Sequence, residues 1–148
     1  MAVAFSSCSN SAQITDELNW KSFKIVEYKK IEIEQFGMKE SIDWPIFNES
    51  IYSFENKSVT IEGYYYCIES TNLDTTSSID PICILTISKE PTIQICGVPQ
   101  FRQNEFISIK GNQPLIQGEK IKLRGILHLN SDGSDENLIS MENVSQVK

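Results

Sequence analysis

From Ser58 to the carboxyl terminus the chain reads as β-structure, and two of its strands carry a glycine at mid-length. The stretch Ser58-Val59-Thr60-Ile61-Glu62-Gly63-Tyr64-Tyr65-Tyr66-Cys67-Ile68 opens with alternation of apolar and polar residues and then turns apolar on both faces. Period-two alternation is the mark of a strand with one wet face. Pro81 to Ile87, Glu105 to Lys110, Glu119 to Leu129 and Leu138 to Val147 repeat the pattern. Asn130 to Asn137 is dense in turn formers and joins the last two strands as a hairpin loop. Gly63 and Gly125 interrupt otherwise regular strands. Such glycines accompany bulges and the sharp coiling that closes a small sheet on itself.

Five coiled strands predict a mainly β fold, a five-stranded barrel like that of the oligonucleotide/oligosaccharide-binding (OB) fold. The usual helix between strands three and four has no room, because Gly111 to Gly118 is only a turn. A helix is expected instead before the first barrel strand, over residues 43–54. Asp43 would cap it, Trp44 and Pro45 would form its first turn, and Phe47, Ile51 and Phe54 would make one apolar stripe. Ile31-Glu32-Ile33-Glu34 alternates and predicts an accessory strand that ends near Gly37. The expected organisation is a tether at 1–22, an accessory strand region at 23–40 and an OB-like barrel domain at 41–148.

Charge narrows the function. A net charge of −7 with only two arginines, Arg102 and Arg124, repels phosphate backbones on average, so nucleic acid is disfavoured as a partner. No apolar run approaches the roughly 20 residues that span a bilayer as a helix.

Four cysteines stand at 8, 67, 83 and 96, and they do not form paired C-x-x-C knuckles, so zinc has little support. Cys67 and Cys83 fall in apolar runs where cysteine serves as a small buried hydrophobe. In an exported protein one disulfide among Cys67, Cys83 and Cys96 is the alternative, with at least one thiol left free. The opening Phe5-Ser6-Ser7-Cys8, followed by Ser9-Asn10-Ser11, resembles the end of a bacterial lipoprotein signal with Cys8 as the lipidated residue. The basic n-region is absent and the apolar stretch is shorter than usual. A frayed cytoplasmic tail is the competing reading.

Further along, the chain resembles a family of bacterial envelope proteins of unknown function, many of them exported. The residues that carry the resemblance are Ile42-Asp43-Trp44-Pro45-Ile46-Phe47, Lys57 to Tyr64, Ile84 to Ser88, Cys96-Gly97, and Lys120 to Asn130. Members often carry a second cysteine just before the cysteine-glycine turn, whereas this chain reads Thr92-Ile93-Gln94-Ile95-Cys96. The resemblance implies export and an OB-like barrel, and it implies no reaction.

Candidate chemistry is sparse. His128 is the only histidine and is expected at an outward strand position without a nucleophile. Cys96, beside Gly97 in a loop, is the one candidate for a reactive thiol. Asn130, Asp132, Asp135 and Glu136 put oxygen ligands in one loop, a weak calcium candidate whose spacing is not that of an EF-hand. Tyr64 and Tyr66 share one strand face and are candidates, with Arg102 and Arg124, for contacting a ligand. No residue set points to a cofactor. The expected function is a non-enzymatic, lipid-anchored cell-envelope domain that binds a partner protein or small polar ligand, touching the membrane only through Cys8. A single-stranded nucleic-acid-binding OB domain, cytoplasmic rather than anchored, is the first alternative. An enzyme with a reactive thiol at Cys96 is the second.

Overall fold

The computed structural model describes residues 16–68, 82–111, 118–133 and 137–148. In chain order its elements are β1 (Asp16–Leu18), a 3-10 turn (Trp20–Phe23), β2 (Ile25–Gln35), β3 (Met38–Phe47), α1 (Glu49–Tyr52), β4 (Ser58–Ile68), β5 (Ile82–Thr86), β6 (Ile93–Ile95), β7 (Val98–Gln100), β8 (Phe106–Ile109), β9 (Lys120–Leu129) and β10 (Ile139–Val147). Among these, no helix is long and apolar enough to cross a membrane.

The barrel runs β4-β5-β8-β10-β9 and closes by pairing β9 back onto β4. Neighbours around it are antiparallel except β8 and β10, which run parallel. That order, with its single parallel junction, is the OB arrangement the sequence predicted, and the five strands are those expected. β1 is added beside the first half of β4.

Closure depends on β4 serving two neighbours in succession. Its residues Ser58 to Tyr64 pair with β9, and Tyr64 to Ile68 pair with β5. At the changeover the strand passes so close to β5 that a Cβ on Gly63 would sit 2.6 Å from the Thr86 carbonyl oxygen and 2.9 Å from Leu85 Cγ. Only a residue without a side chain fits there. Gly125 meets a similar constraint, with a Cβ reaching 2.9 Å from the Glu142 carbonyl oxygen, where β10 bulges between Glu142 and Ser145. Both glycines are the coiling devices read from the sequence.

Inside, cross-strand partners meet in register: Ile61 opposite Leu123, Tyr65 opposite Leu85, and Met141 opposite Leu127, all buried. Each such large apolar side chain contributes about 1.5–3 kcal/mol when removed from water. Cys67 lies directly opposite Cys83, their Cα atoms 4.1 Å apart, and the two are joined by a disulfide. The Tyr65 hydroxyl sits 2.9 Å from Cys67 Sγ. A bridged sulfur has no proton, so the phenol is the donor. Burial pushes the Tyr65 phenol above its ordinary range, which keeps that proton in place.

The segment before the barrel departs from the sequence reading. Residues 43–47, expected as the start of a helix, are the end of β3, and the helix shrinks to Glu49–Tyr52. Asp43 is therefore no cap; it pairs with Lys30 across a two-stranded ribbon formed by β2 and β3. The apolar stripe does face the core, since Phe47 and Ile51 are buried and Phe54 packs at its edge, but Phe47 reaches it from a strand. The cause is the ribbon's turn. Phe36 and Gly37 both take positive φ, 53° and 74°, the handedness that joins two strands in a tight hairpin, so the chain after Gly37 folds back on Ile25–Gln35. A partner edge then outweighs a weak helical preference. Pro45 is tolerated because, among the described residues, β3 pairs with β2 alone. The ribbon continues through residue 41. Phe23 from the 3-10 turn stacks edge-on to Phe47 at 6.0 Å, and with Ile51 they extend the core beyond the barrel wall.

The stretch 91–103 holds a second small hairpin, β6 with β7, and Cys96-Gly97 is its turn. Cys96 is a free, exposed thiol.

Two changes test this account. Gly63→Ala forces a Cβ into a backbone oxygen and is expected to cost on the order of 3 kcal/mol, read as a fall in the urea midpoint with an unchanged slope. Cys67→Ser with Cys83→Ser opens a loop of sequence separation 16 and is expected to cost about 3 kcal/mol. In the unaltered protein the same loss should follow addition of a reductant before the denaturant titration.

Candidate functional site

The four residues expected to contact a ligand do not converge. Tyr64 and Tyr66 share one face of β4, as alternation predicted; they point outward, half-buried, while Tyr65 faces the core. Tyr66 is engaged, its hydroxyl donating to the Lys89 carbonyl at 2.6 Å. Tyr64 pairs in register with Lys120 of β9, and Arg124 pairs with Thr60. That register leaves Arg124 four residues along the same face, about 13 Å from Tyr64. Arg102 lies on the loop that precedes β8, on a different part of the surface. Its backbone N–H donates to Glu105 Oε2 at 2.9 Å and its side chain is exposed.

A better assembled polar site lies at the far end of β9 and β10. Alternation sends His128 outward, and the hairpin register sets it opposite Ser140. Glu142 is the next outward residue along β10, and its Oε1 stands 2.9 Å from His128 Nε2. The geometry is not that of an aligned hydrogen bond, so the ring nitrogen keeps an unused donor or acceptor direction. The imidazole is about one-third exposed (34%). Lys110 at the end of β8, Glu55 before β4, and Asn130, Asp132 and Asn137 of the β9–β10 loop complete a cavity of about 350 Å³.

The loop wall is fixed from two sides. Within the loop, Asn130 N–H donates to the Leu138 carbonyl at 2.9 Å and its side-chain amide to the Asn137 carbonyl at 3.4 Å. From the ribbon, the Trp44 indole N–H donates to the Asn130 carbonyl at 2.8 Å. Gly133 lies so close to β2 that a Cβ there would be 2.5 Å from Ile31 Cδ1. The apolar face of the ribbon thus buttresses the polar loop.

Chemically the lining offers one ammonium, one imidazole, three carboxylates, two amides and the hydroxyls of Ser131 and Ser140, with Leu129 as its one apolar member. Such a set donates and accepts hydrogen bonds toward a polar guest. No aromatic side chain stands among the described lining residues, so nothing there stacks a base or a sugar ring. Ser140 faces His128 across the ladder, yet no hydrogen bond joins them. Of the calcium candidates, Asp132 lines this cavity, while Asp135 and Glu136 lie outside the described residues. Among the described residues no three His, Cys, Asp or Glu side chains are grouped to hold a metal ion. Cys8 also lies outside the described residues.

The sequence placed His128 outward but missed Glu142 and Lys110 as its neighbours. Counting back from the Asn130–Asn137 loop pairs His128 with Ile139, one residue short of the Ser140 that it meets. Lys110 arrives through the parallel junction, which no local pattern signals. Comparison with family models, curated proteins and solved structures finds no match to this chain.

The ribbon's hold on the loop has a measurable consequence. Trp44→Phe keeps most of the buried ring and removes only the indole N–H. It is expected to cost about 1 kcal/mol and to speed hydrogen exchange at the Asn130 amide, while exchange on β4 and β5 is unchanged.

Proposed function

We propose that this chain is a non-enzymatic domain of the bacterial cell envelope, tethered by a lipid at Cys8, that binds a small polar ligand in the His128–Glu142–Lys110 cavity. The observation that carries the binding reading is the lining itself: charged groups of both signs, amides and hydroxyls gathered around one 350 Å³ hollow and fixed by a braced loop. Mixed charge of this kind suits a zwitterionic or hydroxylated guest, because each end of the guest finds an opposite or hydrogen-bonding group.

Two further features support it. The Cys67–Cys83 disulfide is the kind of cross-link that persists in oxidising compartments and is rare in the cytosol, which supports export. On the outer barrel face, Lys120 pairs with Glu62 at 3.1 Å and Lys122 with Glu17 at 2.9 Å. Carboxylates thus interrupt the basic positions of β9, which weakens the case for a track that follows phosphates.

Metabolic labelling with a radiolabelled fatty acid in a bacterial host is expected to mark the chain, and the label should vanish in Cys8→Ser. In parallel, free amino acids, dicarboxylates and small sugars are screened for a rise in melting temperature. A guest at a hundred times its Kd should add about 2.7 kcal/mol, and Glu142→Gln should abolish the shift. Tight, salt-sensitive binding to single-stranded oligothymidylate in place of these results would overturn the reading and favour the nucleic-acid alternative.

A further inference from the structure

A second concave surface lies away from the polar cavity, between the base of the β2–β3 ribbon and the segment that carries β6 and β7. It encloses about 420 Å³, and Ile25 and Tyr28 of β2 face Ile93, Ile95, Phe101 and Arg102 across it. Its chemistry is the reverse of the first. Tyr28 is 65% exposed and Ile95 49%, so large apolar surface stands open to water on both banks. Isolated exposed apolar residues are ordinary on a protein surface; here several share one groove, with Gln100, Gln103 and Asn104 as its polar lining.

Three observations describe what fits there. First, both banks are built from strands. Among the described residues β2 pairs with β3 alone and β6 with β7 alone, so each has one edge without a strand partner there. An extended peptide is the guest that such edges recognise, by adding as a strand. Second, the groove carries one positive charge. The nearby carboxylate of Glu105 accepts at Oε2 from Thr92 Oγ1 and from the Arg102 backbone N–H, contacts that hold the loop. No carboxylate among the described residues pairs with the Arg102 guanidinium. A planar, permanently charged fork beside an apolar groove matches a carboxylate. Third, the chain as a whole carries a charge of −7, which repels polyacidic segments. A guest with a single carboxylate meets Arg102 with the least of that repulsion. The Asn104 side-chain amide donates to the Phe23 carbonyl at 3.3 Å and ties the groove's floor to the 3-10 turn.

We infer that this groove binds the extended carboxyl-terminal tail of a partner protein, with the terminal carboxylate on Arg102 and the last bulky apolar side chains between Tyr28 and Ile95. The site is separate from the polar cavity, and it stands or falls independently of the small-ligand reading.

Fluorescence polarisation with a set of labelled hexapeptides ending in pairs drawn from Val, Ile, Leu and Phe tests it on the full chain. Members of the set should bind as free acids, and the same peptides with an amidated carboxyl terminus should bind about tenfold more weakly or worse. Arg102→Gln should weaken the acids to the level of the amides and leave the amides unchanged. Tyr28→Ser should weaken both. Both positions are exposed, and unchanged melting temperatures would show that the variants fold. Equal binding of acid and amide, or no binding by any member, overturns the inference. So does a concentration-dependent dimer in sedimentation that Tyr28→Ser dissolves, because the groove would then take a second copy of the chain.

Discussion

The architecture turns on the close approach of β4 to β5 at Gly63. A strand that must pair with β9 along its first half and β5 along its second has to change direction within a residue or two. It can do so only where no side chain stands in the way. The Thr86 carbonyl oxygen and Leu85 occupy the space that a Cβ would need. Because β4 coils there, β9 can return to it and close the barrel. Because the barrel closes, alternate residues of every wall strand are sealed inside. The disulfide between Cys67 and Cys83 lies just past that bend and fixes the second half of β4 to its new neighbour.

Much of this was legible in the sequence, and for a specific reason. Strand identity rests on alternation, a local pattern, and barrel closure was announced by two glycines where a strand has no other use for them. Alternation placed Tyr64 and Tyr66 on one face, and burial of Tyr65 decides that this face is the outer one. Local pattern failed where two periods fit the same residues. Trp44, Phe47, Ile51 and Phe54 satisfy helical spacing, yet the Phe36-Gly37 turn supplies a paired edge that claims the first two for a strand. Spacing also cannot choose between a buried thiol and a disulfide. That choice depends on which residues stand opposite each other across β4 and β5, a matter of register.

The two candidate surfaces were harder to see. Tyr64, Tyr66, Arg102 and Arg124 are individually suited to hold a ligand, but the fold distributes them around the barrel and its loops. His128 acquires a setting only when the parallel junction of β8 and β10 brings Lys110 alongside and the β10 register brings Glu142. Both surfaces share the β2–β3 ribbon. Its inner face braces the polar loop through Trp44 and Ile31, and its base forms one bank of the apolar groove. An appendage outside the barrel therefore shapes both hollows.

The pairing of β4 with β9 also carries the largest sequence separation of the contacts that β4 makes. Ser58 meets Ile126 across the closing seam, so that contact spans nearly half the chain. By contrast β4 and β5 are neighbours in sequence. Loops closed over long separations form slowly, because the entropy lost in bringing distant segments together precedes the contacts that reward it. The local β4–β5 pairing therefore costs less loop-closure entropy than the seam that closes the barrel.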